Sequence, residues 1–253
     1  MLPRVMLRHA VRVAAIAAAF TFSLHFAVAQ SGPQVGTGPD RRQSQAQSQA
    51  QGEPGKFDFY VLALSWSPSF CEASSERYSN RSPDQQCGAR PYSFIVHGLW
   101  PQYERGFPSY CQVPAPRLDR AIVGSMLELM PSPQLIFHEW DRHGTCSGLS
   151  PQAYFDTVRQ ARAAVKIPAE YLAVATPLTV TPDQVAEAFV KANAGLARAG
   201  LAVSCDSKRL SEVRICLAKD FTFRDCAEVA RRSCRRDTIV MPPVRGGRQA
   251  DAR

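Results

Sequence analysis

Apolar side chains alternate between two faces along residues 57–66 (FDFYVLALSW), the period of a buried strand. Residues 92–100 predict a second strand. The period then lengthens. Residues 117–129 carry apolar positions at helical spacing and stop near Pro131. Residues 134–143 predict another helix. A third covers 151–165, with Ser150 as N-cap and Pro151 at the first helical position. Thr181-Pro182-Asp183-Gln184 has capping-box spacing and opens a fourth. Residues 210–217 and 221–224 predict two more strands. Strands separated by a helical block imply an α+β fold rather than a regular parallel sheet.

The flanks read differently. Residues 30–56 are rich in Gly, Pro, Gln and Ser, with no apolar face to bury, and predict a disordered linker. The tail, 242–253, has similar composition. One domain without internal repeats is therefore expected over 57–241. Ahead of it, Arg4, Arg8 and Arg12 precede an apolar run over 13–28, and Ala27-Val28-Ala29 gives a small-x-small cleavage pattern. This predicts a signal peptide over 1–29. The run is shorter than the roughly 18 apolar residues of a spanning helix, and His25 interrupts it. No membrane span is expected, and the location predicted is secreted or periplasmic.

Export changes the reading of Cys71, Cys87, Cys111, Cys146, Cys205, Cys216, Cys226 and Cys234. An even number in an exported chain predicts disulfides. No pair has Cys-x-x-Cys spacing. Eight cysteines allow about a hundred connectivities, so spacing leaves the pairing open. Net charge is +8, of which three leave with the signal peptide, giving +5. That suits a polyanionic partner without identifying one.

The chain has five histidines. His9 and His25 fall in the signal segment. The others occupy two short motifs: His97 in Ile95-Val96-His97-Gly98-Leu99-Trp100-Pro101, and His138 and His143 in His138-Glu139-Trp140-Asp141-Arg142-His143. On a helix, residues four apart share a face, which sets Glu139 beside His143 and His138 beside Arg142. A zinc protease needs its histidines at that spacing with glutamate between them. Here they are five apart with no third ligand, so no metal is expected. What remains is acid–base and anion chemistry. One neutral histidine can act as base and one protonated histidine as acid. Arg142 and Glu139 can orient and polarise a phosphoryl oxygen. Trp100 or Tyr103 can stack on a base, whereas Trp66 and Trp140 read as core. Such a site can drive a ribose 2′-hydroxyl onto the adjacent phosphorus without metal or cofactor.

Phe94-Ile95-Val96-His97-Gly98-Leu99-Trp100-Pro101 and Phe137-His138-Glu139-Trp140-Asp141-Arg142-His143-Gly144-Thr145-Cys146 closely resemble the two active-site segments of the ribonuclease T2 family. The resemblance runs from residue 57 to 234. It includes Leu64-Ser65-Trp66-Ser67-Pro68 with Cys71, in a form like that of bacterial members, and Leu210-Ser211-Glu212-Val213-Arg214-Ile215-Cys216. It implies an α+β fold, with a central antiparallel β-sheet packed against several α-helices and stapled by disulfides. It implies an endoribonuclease that cleaves single-stranded RNA through a 2′,3′-cyclic phosphate, with low base specificity and no cofactor or metal. By motif, His143 resembles the general base, His97 the general acid, His138 a phosphate-binding residue and Glu139 a phosphate-polarising one. Trp100 and Arg142 complete the substrate-binding set. Arg142 stands where the family usually has lysine, which keeps the charge and changes the geometry. The acid the family often places after the Trp100 position is missing at Gln102 and Tyr103, so base preference does not carry over. The resemblance also implies the pairs Cys71–Cys87, Cys111–Cys146, Cys205–Cys234 and Cys216–Cys226. A monomer with RNA as substrate and no stable protein partner is expected. The alternative is a catalytically weak or inactive secreted RNA-binding protein on the same fold; loss of His97 or His143 would favour it, and both are present.

Overall fold

The computed structural model describes residues 51–77, 85–88 and 90–245. The expected signal peptide lies outside the described residues, as do positions 30–50 of the linker and 246–253 of the tail. In chain order the described elements are β1 (Phe59–Trp66), α1 (Ser67–Arg77), β2 (Phe94–Gln102), α2 (Arg120–Met126), α3 (Pro133–Arg142), α4 (Pro151–Ala164), β3 (Leu178–Val180), α5 (Pro182–Ala192), β4 (Leu201–Cys205), β5 (Leu210–Leu217), α6 (Ala227–Ala230) and β6 (Ile239–Met241). Short 3₁₀ turns join several of them, including Gly144–Ser147 directly after α3.

Four strands form an antiparallel sheet in the order β2-β1-β5-β4, and β3 pairs with β6 in a separate ribbon. The fold is thus α+β with a central antiparallel sheet. Strand alternation divides the two faces. Tyr60, Leu62, Leu64 and Trp66 of β1 join Val213, Ile215 and Leu217 of β5 in the main core, packed with Met126, Ile136, Trp140, Tyr154, Phe155 and Phe189 from the helices. Val61 and Cys216 point to the other face, where they form a smaller cluster with Phe59, Cys226 and Trp100.

The register of β1 against β2 slips once. Ala63 pairs with Gly98 and Leu64 with Val96, which leaves His97 without an opposite residue. This is a β-bulge, a device that bends a strand and re-aims a side chain. Val96 and Leu99 stay in the core on either side of it, three positions apart rather than two.

Helix starts follow the sequence signals. Ser132 Oγ accepts from Leu135 N (3.3 Å) and Ser150 Oγ from Ala153 N (3.3 Å). Thr181 and Gln184 complete the capping box, at 2.8 and 3.0 Å. Trp66 and Trp140 are core residues as expected. The strand expected over 221–224 is not formed. Asp220 Oδ1 accepts from Thr222 N (3.0 Å), Phe221 has φ +67°, and only Phe223 bridges to Leu217. A local side-chain turn has won over the ladder.

The linker and tail boundaries also move. Gln51 and Ser109 exchange backbone hydrogen bonds at 2.9 and 2.8 Å, and Gly55 N donates to Cys146 O at 2.9 Å. At the other end Trp66 Nε1 donates to Pro242 O (3.1 Å) and Val244 N to Val174 O (2.8 Å). Residues 51–56 and 242–245 therefore belong to the domain. Backbone pairing orders them, and composition carries no signal for it.

The four disulfides join Cys71–Cys87, Cys111–Cys146, Cys205–Cys234 and Cys216–Cys226. They are the pairs that the resemblance implied. Separations of 35 and 10 residues for Cys111–Cys146 and Cys216–Cys226 correspond to about 4 and about 3 kcal/mol of loop-closure entropy. Removing the first by paired Cys→Ser substitution should therefore lower unfolding free energy in denaturant more than removing the second. The reverse order would contradict the chain-entropy account.

Candidate active site

The β2 bulge turns His97 toward the face opposite the main core. There its Nδ1 hydrogen-bonds Glu212 Oε1 of β5, reaching across β1. Glu212 Oε2 accepts from Arg214 Nε at 2.9 Å. The Arg214 guanidinium lies 5.0 Å from the centre of the Trp100 ring, a cation–π distance. On its other side His97 Nε2 stands 3.5 Å from Glu139 Oε1. Glu139 Oε2 accepts from Trp100 Nε1 at 2.7 Å. A closed set of polar contacts thus links β2, β5 and α3.

Glu139 comes from α3, and its side chain is only 2% exposed. It can approach β2 because residue 98 is glycine: a Cβ there would fall on the Glu139 carboxylate and the Trp100 indole nitrogen. The spacing argument set Glu139 beside His143. That relation holds in the backbone, where His143 N donates to Glu139 O at 3.0 Å. The Glu139 carboxylate itself turns to His97 and Trp100.

His143 caps α3 and is buried, with Nδ1 lacking a partner among the described residues. Its ring lies 5.3 Å from that of Trp100, while the His97 ring lies 5.4 Å from the same indole. Trp100 therefore touches both histidines. Arg142 precedes His143 with a buried, unpartnered Nε, and its guanidinium is 5.9 Å from the Tyr110 ring. Tyr110 N donates to Arg142 O at 2.8 Å, and Cys111–Cys146 fastens this loop to the turn after His143.

All six residues singled out in the sequence, His97, Trp100, His138, Glu139, Arg142 and His143, line one cavity of about 360 Å³. A second cavity, of about 630 Å³, shares His97 and His138 with it. Tyr103, considered as a stacking residue, does not line the first cavity, but Phe107 does and is 40% exposed. Among the described residues no group of three or more His, Cys, Asp or Glu side chains is arranged to hold a metal ion.

The family model described as Ribonuclease T2 family matches residues 57–226. The chain belongs to the ribonuclease T2 family. Among its relatives, a protein from Aeromonas hydrophila named ribonuclease is 48% identical over 102 residues, 40% of this chain and 43% of the relative. A probable ribonuclease of Haemophilus influenzae is 36% identical over 124 residues, 46% of each chain. The chain thus matches less than half the length of these two relatives. Among solved structures, a variant of RNase MC1 in complex with 5′-UMP superposes with TM-score 0.55 and 25% identity, over 72% of this chain and 97% of that one.

Within this ribonuclease T2 fold half-buried His97 and buried His143 meet opposite fields. Burial works against the His97 cation, but the Glu212 hydrogen bond, with the charges of Glu212 and Glu139, outweighs it and raises the His97 pKa. Burial, then the charges of Arg142, His138 and His97, push His143 down to about 3. Burial raises Glu139 to about 7, partly countered by His97 and Trp100. Glu212 is also buried, yet its bond to His97 holds it near 2. Exposed His138 is lowered, by partial burial and then by Arg142 and His97.

Glu212 and Arg214 are the residues that motif reading missed. Their signal was present: two charged residues at alternate positions in the run 210–217, which is apolar apart from them and Ser211. Because Glu212 holds the proton on His97, Glu212→Gln should lower the His97 pKa while leaving His143 depressed. Histidine titration by NMR checks this against the reference of about 6.5. An unchanged His97 pKa in Glu212→Gln would remove Glu212 from the site.

Proposed function

We propose that the protein is an exported endoribonuclease that cleaves single-stranded RNA by transesterification through a 2′,3′-cyclic phosphate. The observation that carries this reading is one cavity with two histidines on either side of Trp100, one in surroundings that favour its proton and one in surroundings that reject it.

His143, neutral at neutral pH, takes the proton of the ribose 2′-hydroxyl. The O2′–P bond forms as the P–O5′ bond breaks. His97, with Nδ1 tied to Glu212, presents Nε2 and gives its proton to the leaving O5′. The products are a 2′,3′-cyclic phosphate and a free 5′-hydroxyl. Water then opens the cyclic ester with the roles reversed. Arg142 and His138 hold the non-bridging oxygens. Glu139, which burial raises to about 7 and which titrates together with His97, polarises a phosphoryl oxygen. Because His97 and His138 line both cavities, the phosphate sits at their junction with one nucleoside on each side. No metal or cofactor takes part, base specificity is low, and the protein works as a monomer. Four disulfides support a location outside the cytoplasm, secreted or periplasmic.

Purified protein in EDTA should convert RNA, but not DNA, to fragments ending in 2′,3′-cyclic phosphate. Comparable DNA cleavage, or loss of activity with chelator, would sink the mechanism. Binding of RNA without turnover would instead support the inactive relative.

His97→Ala and His143→Ala should each lower kcat/KM by about 10²- to 10⁴-fold with the fold retained. His138→Ala and Glu139→Gln should keep more activity. A His138→Ala variant as inactive as His143→Ala, with His97→Ala active, would reverse the roles.

The pH profile of kcat/KM should be bell-shaped. Its rising limb, set by the base, lies well below 6.5 because His143 is lowered to about 3. Its falling limb lies above 6.5 and belongs to His97 together with Glu139. A rate still climbing at about pH 9 contradicts paired histidines.

A further inference from the structure

The segment Arg231-Arg232-Ser233-Cys234-Arg235-Arg236 holds four arginines in six positions, and all four side chains are exposed. The segment is firmly fixed. Cys205–Cys234 ties it to the end of β4, Cys234 N donates to Val203 O at 2.7 Å, and Ser233 Oγ accepts from Val203 N at 3.0 Å. It therefore lies along the outer edge of the sheet. Its near end, Arg232, lines the catalytic cavity. Its far end, Arg235 and Arg236, lines a separate open depression of about 750 Å³ formed by residues 205–207 and 235–238. Asp206 lines both this depression and the cavity beyond His97 and His138, so the two adjoin.

Arg235 and Arg236 share this lining with two aspartates, Asp206 and Asp237. The Asp206 carboxylate is already engaged, accepting from Lys208 N (2.6 Å), Arg209 N (2.6 Å) and Arg209 Nε (3.1 Å). Arg209 in turn is shared among Asp206, Glu72 and Glu76 and is buried, which makes it structural. Arg235 and Arg236 form no ion pair among the described residues, and Asp237 is the one other acid on the rim. Exposed guanidinium groups on a rigid backbone match the spacing freedom and charge of a phosphodiester chain, and they need no base-specific contact.

We propose that Arg235 and Arg236 form a distal surface for the backbone of single-stranded RNA, engaging phosphates beyond the two nucleotides that flank the cleaved bond. The inference rests on the ribonuclease reading above. It makes the substrate a strand several nucleotides long rather than a dinucleotide.

The test uses the disulfide-intact chain and two probes: an uncleavable 2′-O-methyl octanucleotide followed by fluorescence anisotropy across a salt series, and a cleavable dinucleotide. Each phosphate of a single strand that the protein neutralises releases counterions and contributes about 0.7 to the slope of log K against log salt. Arg235→Gln/Arg236→Gln should flatten that slope by about 1.4 and weaken octanucleotide binding about 10-fold at 0.15 M salt. Dinucleotide kcat/KM and the thermal midpoint should not change. Arg235→Lys/Arg236→Lys should keep the slope. Arg117→Gln/Arg120→Gln removes the same charge from exposed positions elsewhere and should leave octanucleotide binding nearly unchanged. An unaltered slope in the glutamine variant overturns the proposal, as does an equal loss in the control pair or in dinucleotide cleavage. If the wild-type chain cleaves neither RNA nor dinucleotide yet its octanucleotide binding depends on Arg235 and Arg236, the distal surface stands and the ribonuclease reading falls.

Discussion

His97 has no opposite residue on β1, and the arrangement of the site follows from that slip. Without the bulge, strand alternation would carry residue 97 to the core face along with Leu99 and its neighbours. With it, Val96 and Leu99 both remain in the core while His97 and Trp100 serve the other face. The sheet can then act as wall of a core on one side and floor of a cavity on the other. Glu212 of β5 and Glu139 of α3 reach His97 from opposite sides, so strand register and helix docking jointly fix the orientation of one imidazole.

Burial alone would push both histidines toward neutrality. What separates them is the company each keeps. His97 has two carboxylates, one in a direct hydrogen bond. His143 has Arg142 on its own chain and an indole and Phe107 nearby, with no carboxylate among the groups that shift it. Trp100 keeps these environments apart in a small volume: its indole N–H holds Glu139, its face meets Arg214, and its ring touches both histidines. Gly98 permits this density by leaving out a single carbon.

The elements with long periodic patterns were legible in the sequence: β1, β2, β5 and the capped helices α3, α4 and α5. Short strands such as β3 and β6, three residues each, carry no period to read, and they exist because they pair with each other. Helix α1 was missed because Ser67-Pro68-Ser69 reads as a turn and its apolar face is weak. The six candidate residues could be singled out because their types are scarce and their motifs are specific, and the fold gathers them around one cavity. Glu212 was not, since its meaning depends on a partner 115 positions away, across a strand. The bulge was likewise hidden, although the three-residue step from Val96 to Leu99 is its trace.

Two buried nitrogens, Arg142 Nε and His143 Nδ1, have no hydrogen-bond partner among the described residues, and both residues line the same cavity. A buried polar group left unpaired costs about 1 to 3 kcal/mol. An acceptor that reaches these nitrogens offsets that cost, in the region that Cys111–Cys146 reinforces. Occupancy by an anion and thermal resistance therefore rise together by mass action.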